Sequence, residues 1–158
     1  MEKCIKVVLK ELVKLNDNKI INEEYSILPM NIEKAGYISS NVKKILNQKK
    51  IDKKKIRRIL IATYEAEINV VIHSYGGVCK LFCDDYELKI VFQDTGPGIP
   101  NIDEAMKEGF STACIIARNN GFGAGMGLPN IRSSADYFNL TSSPSGTTLV
   151  VQFNLKTR

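Results

Sequence analysis

Apolar positions along this chain fall first into helical and then into alternating spacing. Ile5, Val8, Leu9 and Leu12 recur at i, i+3, i+4 and i+7, so residues 2–15 read as an amphipathic helix ending in the polar stretch Asn16-Asp17-Asn18-Lys19. Tyr25 to Met30 reads as a first strand, and Ala35, Ile38, Val42, Ile45 and Leu46 return to helical spacing. A second long helix begins with Ile56, Ile59, Leu60, Thr63, Glu67 and Val70, and its other face carries Ile61, Glu65, Ile68, Asn69 and Ile72. A helix apolar on nearly all sides is a buried one. Gly76-Gly77 ends it, because glycine supplies the left-handed geometry of a helix end or turn.

Strand patterns dominate the rest. Val78 to Cys83 and Tyr86 to Gln93 flank Asp84-Asp85 as an antiparallel hairpin, with Tyr86, Leu88, Ile90 and Phe92 alternating onto one face. A short helix from about Leu128 to Asp136, a strand at Tyr137 to Thr141 and a last strand alternating at Thr147, Leu149, Val151, Phe153 and Leu155 complete the pattern. Hairpin-linked strands after a few long helices predict an α+β fold, a two-layer sandwich whose mixed, mostly antiparallel sheet is covered on one face by helices. The pattern contains no internal repeat and no low-complexity linker. A length of 158 residues suits one domain, with residues 1–20 as a helical extension and 21–158 as the body.

Composition narrows the class. At 44% hydrophobic and 25% charged residues the chain can bury a core and is no disordered tail. No apolar run approaches the roughly 18 residues of a membrane span, and the charges inside MEKCIKVVLKELVK are unlike a signal peptide, so no membrane association and a cytoplasmic protein are expected. Cys4, Cys79, Cys83 and Cys114 form no CxxC pair and His73 is the only histidine, which leaves a structural zinc site without its usual ligand spacing. The net charge of +5 is concentrated in Lys43 to Arg58, which holds nine Lys or Arg and one acid, Asp52. No aromatic interrupts that run, so direct nucleic-acid binding is not expected, and solvent or an acidic protein partner is.

Glycine points elsewhere: seven of the eleven lie between Gly96 and Gly127. Three segments around them carry candidate chemistry. In Glu65-Ala-Glu-Ile-Asn69 an i, i+4 spacing sets a carboxylate and an amide one turn apart on one helix face. That pair suits a general base beside an oxygen ligand for a hydrated Mg²⁺, and equally a helix-edge hydrogen bond. Asp94-Thr-Gly-Pro-Gly-Ile-Pro follows a strand, so its carboxylate can accept from an amine while the glycines let a flat ring approach; alone it is also a generic turn. Gly121-Phe-Gly-Ala-Gly-Met-Gly-Leu-Pro precedes a helix, where unpaired N–H groups and the helix dipole favour phosphate; alone it is also a flexible loop. It is not a P-loop, because no Gly-Lys pair occurs in the chain.

Together, EAEIN at 65–69, DTGPGIP at 94–100, EGFST at 108–112, GFGAGMGLPN at 121–130 and the late Gly146-Thr147-Thr148 resemble the N, G1 and G2 boxes of the GHKL ATP-binding superfamily, which includes gyrase, MutL and the histidine kinases. The subfamily most resembled is that of the anti-sigma-factor serine/threonine kinases of Gram-positive bacteria, over roughly Tyr25 to Leu155. The resemblance implies ATP and Mg²⁺ as cofactors, Glu65 as catalytic base and Asn69 as metal ligand. Asp94 would pair with the adenine amino group, with Gly96, Gly98 and Ile99 around the ring and Thr147 adding a hydrogen bond near the base. Gly121, Gly123, Gly125 and Gly127 would meet the phosphates, and residues 109–127 would form a mobile lid. In the stretch 113–120 only Arg118 offers a cation for the γ-phosphate. His73 reads as a helix-end packing residue rather than a phosphoacceptor.

The implied function is an anti-sigma-type protein kinase that phosphorylates a small anti-anti-sigma-like regulator and works by partner switching, with a sigma factor or other regulator as the second partner. A non-catalytic ATP-dependent binding module of the same fold shares every nucleotide residue and parts from the kinase at Glu65. A histidine kinase would need a phosphoacceptor histidine on a preceding helical hairpin, and gyrase-like or MutL-like machines would need transducer domains. Residues 1–20 fall outside the resemblance and are open to three readings: an extra packed helix, a homodimer element or a partner element.

Overall fold

Alternation at Cys79, Leu81, Cys83 and at Leu88, Ile90, Phe92 builds a sheet with one buried face, and every one of these residues is buried. The computed structural model describes residues 20–156, so the helix expected at 2–15 lies outside the described residues. In chain order the elements are β1 (Ile21–Ile27), a 3₁₀ turn (Ile32–Lys34), α1 (Tyr37–Gln48), α2 (Lys53–His73), β2 (Gly77–Cys83) and β3 (Glu87–Asp94). There follow α3 (Ile102–Ala105), α4 (Ile115–Asn119), α5 (Gly127–Ser134), β4 (Tyr137–Ser143) and β5 (Gly146–Asn154). The strand order is β1-β2-β3-β5-β4. All four pairings are antiparallel, so the α+β sandwich is as expected while the sheet has no parallel pair among the described residues.

The core lies between this sheet and the helices, with Val42, Leu46, Ile59 and Ile131 meeting Leu81, Ile90, Val151 and Phe153. Asp52 starts α2 by accepting from the N–H groups of Lys54 and Lys55 at 2.9 and 3.2 Å. No side chain of its own caps α1. Glu67 reaches it from α2 instead, Oε1 accepting from the Ile38 N–H at 3.4 Å, which explains a glutamate only 3% exposed on an apolar helix face.

Two expectations are corrected. The first strand begins earlier, at Ile21, and ends at Ile27. Pro29 has no N–H to extend the ladder and Met30 turns at φ 56°, its N–H donating to the Val71 carbonyl at 2.8 Å. The basic run is not simply a solvated or partner-facing surface. Lys49 pairs with Asp85 at 2.7 Å, Arg58 with Asp136 at 2.9 Å, and Lys55 Nζ donates to the Leu155 carbonyl at 3.0 Å, so three of its cations fasten the helices to strand ends. The stretch between the glycines, for which the sequence predicts no element, contains α3 and α4.

Candidate functional site

Four segments converge on one side of α2: the loop after β3, the loop closing on α5, and β4 and β5. They enclose a cavity of about 710 Å³, within the range of small-molecule sites. Its wall includes Glu65, Asn69, Asp94, Gly98, Ile99, Gly121, Gly123, Gly125, Gly127 and Thr147. Of the glycines expected around the adenine and the phosphates, Gly96 is the exception. It is buried against the end of α2, where a Cβ would stand 3.1 Å from Ser74 Cα and 3.3 Å from Asp94 Oδ1, so it makes room for the carboxylate rather than lining the space.

Asp94 ends β3, and its Oδ1 accepts from the backbone N–H of Thr147 on β5 at 3.1 Å. No described residue holds Oδ2. Burial raises its pKa above the ordinary carboxylate value, and the Thr147 N–H works against that rise. Phe92, Leu140 and Leu149 line the same wall and give a flat ring an apolar bed.

Thr147 also makes a contact through its side chain. Its hydroxyl lies 2.8 Å from the Ser142 hydroxyl, and Ser142 Oγ also accepts from the Ile99 N–H at 2.7 Å. Ser142 thus ties the Gly-Pro-Gly turn to the hairpin of β4 and β5. Sequence reasoning missed it, the only signal being a Ser/Thr-rich run before a turn. The turn itself needs glycine at 98, where φ is 71° and a Cβ would strike the Ser143 carbonyl.

At the other end of the cavity, Glu65 and Asn69 stand half-buried one turn apart on α2. Gly127 opens α5 directly above them, and a Cβ there would lie 3.3 Å from both Glu65 Oε2 and Asn69 Oδ1. Asn130, one turn along α5, donates from Nδ2 to Glu65 Oε1 at 3.3 Å. The glycine loop folds back on itself, the Gly109 N–H donating to the Gly125 carbonyl at 2.9 Å. Met126 supplies no side-chain cap to α5, which leaves first-turn N–H groups beside Asn69 for an anion.

The described wall contains three carboxylates, Glu65, Asp94 and Glu104, and no lysine or arginine. Arg118 is exposed and outside it, its Cγ 3.4 Å from where a Cβ on Gly123 would be. His73 lies in the wall at the end of α2. Among the described residues no group of three or more His, Cys, Asp or Glu could hold a metal ion. The donor set that fits Mg²⁺ is the Asn69 amide oxygen beside open space for phosphate oxygens and water. No helix of the described residues is long and apolar enough to cross a membrane.

Comparison with known proteins follows the same residues. The model of the histidine kinase-like ATPase domain family matches residues 28–153. The chain is 32% identical over 114 residues to the serine/threonine-protein kinase RsbT of Bacillus subtilis, covering 68% of this chain and 76% of that one. It is 33% identical over 92 residues to the anti-sigma F factor of Bacillus licheniformis, covering 54% of this chain and 60% of the relative's length. In three dimensions it is similar to the RsbU and RsbW domains of a Mycobacterium tuberculosis protein, with TM-score 0.57 and 17% identity over 85% of this chain and 32% of that one, a likeness of fold. With the fold, the wall residues and the family model in agreement, the chain belongs to the histidine kinase-like (GHKL) ATPase family, within its anti-sigma regulatory kinases.

Proposed function

We propose that this chain binds Mg·ATP in the cavity along α2 and transfers the γ-phosphate to a serine or threonine of a small regulatory protein, with partner switching as the consequence. The observation that carries this reading is the convergence of Glu65, Asn69 and the opening of α5 at one end of a cavity whose other end presents an Asp94 Oδ2 that no described residue holds. Asp94 would accept from the adenine amino group, with Gly98 and Ile99 beside the ring. Gly121, Gly123, Gly125 and Gly127 would bring backbone close to the phosphates, and Asn69 would hold the metal. Bound Mg²⁺ supplies charge neutralisation for the phosphates. Glu65 would take the proton of the attacking hydroxyl, as positioning and proton removal are most of what this chemistry asks of a protein.

The names of the relatives, a serine/threonine kinase and anti-sigma F factors, support protein partners; we take these to be an anti-anti-sigma-like substrate and a sigma factor or other regulator. Capture of partners with and without ATP, followed by mass spectrometry for phosphoserine or phosphothreonine on the retained protein, tests the transfer. Glu65→Ala is expected to keep ATP affinity in calorimetry and to abolish transfer. Equal transfer by variant and wild type would remove Glu65 as the base.

One observation favours a second reading, an ATP-holding regulatory module without phosphotransfer: the described wall offers no lysine or arginine to a γ-phosphate. ATP-dependent capture of a partner that never acquires phosphate would establish it.

A further inference from the structure

The two oxygens of the Glu65 carboxylate stand in different surroundings. Oε1 receives the Asn130 amide N–H at 3.3 Å. Oε2 lies towards Gly127, 3.3 Å from the position a Cβ there would take, and the Asn69 amide oxygen is 3.3 Å from that same position. Both neighbours of the carboxylate, Gly127 and Asn130, ride on α5, which packs along α2 and begins where the glycine loop ends.

We propose that Asn130 is the positioning residue of Glu65: by occupying Oε1 it fixes the carboxylate rotamer and presents Oε2 to the attacking hydroxyl. The inference rests on the reading of Glu65 as base. In the step it serves, Oε2 takes the hydroxyl proton as the hydroxyl oxygen bonds to the γ-phosphorus, and the bond from that phosphorus to the bridging oxygen breaks with its electrons leaving on ADP. A glutamate has three side-chain torsions, so an untethered carboxylate spends much of its time out of hydrogen-bond reach of a reacting group. A carboxamide suits the task because it donates without carrying charge or a transferable proton, whereas a lysine or arginine at this place would form an ion pair that weakens the base. Because Gly127 and Asn130 share a short helix, the conformation of the glycine loop and the aim of the base are linked through α5.

Hydrolysis of Mg·ATP by the full chain, with water as the accepting hydroxyl, is the probe reaction, read beside ATP affinity in calorimetry. Asn130→Ala is expected to lower kcat roughly ten- to a hundredfold, the worth of a hydrogen bond to a charged group, while ATP affinity stays within about twofold. Asn130→Asp, equal in size but with an acceptor where a donor is needed, is expected to be at least as slow. Unchanged kcat in Asn130→Ala, or a loss confined to ATP affinity, would overturn the inference. Glu65→Gln separates the two layers: if it turns over like wild type, the base assignment itself fails, and if it is inactive while Asn130→Ala is not, only the positioning role fails. A turnover-independent readout is the Asn130 side-chain amide in ¹⁵N-labelled protein. Its resonances are expected to move on Glu65→Gln, and their staying in place would remove the contact on which the inference stands.

Discussion

The Thr147 backbone N–H donates to Asp94 Oδ1 at 3.1 Å, so one oxygen of this carboxylate is fixed by the neighbouring strand and the other has no partner among the described residues. Asp94→Asn retains the shape but can place an amide N–H where a ligand amine must also donate. Mispairing of a buried acceptor costs about 1–3 kcal/mol, so ATP affinity in calorimetry is expected to fall roughly ten- to a hundredfold. Unchanged affinity would take Asp94 out of the adenine position. Because the Thr147 hydroxyl is engaged with Ser142, the interaction with Asp94 depends on the backbone of β5 and not on the threonine side chain.

Gly127 separates activity from stability. Its substitution by alanine puts a better helix former at the first residue of α5, where the gain is smaller than the roughly 0.5–1 kcal/mol of a helix interior. The added Cβ would stand 3.3 Å from Glu65 Oε2 and Asn69 Oδ1, tight enough to push both polar groups aside by a few tenths of an ångström. Gly127→Ala is therefore expected to keep or slightly raise the melting temperature while lowering Mg·ATP turnover about tenfold or more, since small misplacements of reacting groups are costly. A variant with wild-type turnover would show that α5 opens farther from the reacting atoms than the Gly127 contacts imply.

Most of the sheet was legible in the sequence, because a half-buried strand must alternate, and Leu88, Ile90, Phe92 and Leu149, Val151, Phe153 do so without interruption. The cavity wall was legible where its residues are close in sequence: Glu65 and Asn69 share one helix turn, and the glycines of 121–127 share one loop. Contacts between distant segments left no such trace. Nothing near Lys49 marks Asp85 as its partner, nothing near Ser142 marks the Ile99 N–H, and Asn130 is 65 positions from the carboxylate it meets. The helices α3 and α4, of four and five residues, are too short for any apolar periodicity to repeat.

Glu67 illustrates the same limit and yields a pH-dependent outcome. Its position on an apolar helix face is compatible with burial, but only the fold shows that α1 needs a cap and that Glu67 Oε2 has no hydrogen-bond partner among the described residues. Burial raises its pKa above the ordinary value of 4.5, and the N–H groups of the first turn of α1, Ile38 foremost, pull it partway back. An acid raised in this way keeps its proton in the folded protein at a pH where the unfolded chain has already released it. Its contribution to stability is therefore full below the ordinary glutamate value and is lost as pH rises through the folded one. Glu67→Gln removes the ionisation and keeps an oxygen for the Ile38 N–H, so the variant should lack this loss. At pH 8 its melting temperature is expected to exceed that of wild type by a few degrees, the size of a change on the order of 1 kcal/mol in a domain of this length, and near pH 4 the two should converge. Melting curves across that range check both ends. A variant less stable than wild type at pH 8 would mean that the ionised carboxylate, set against the N-terminus of α1, gains more from the helix than it loses to burial.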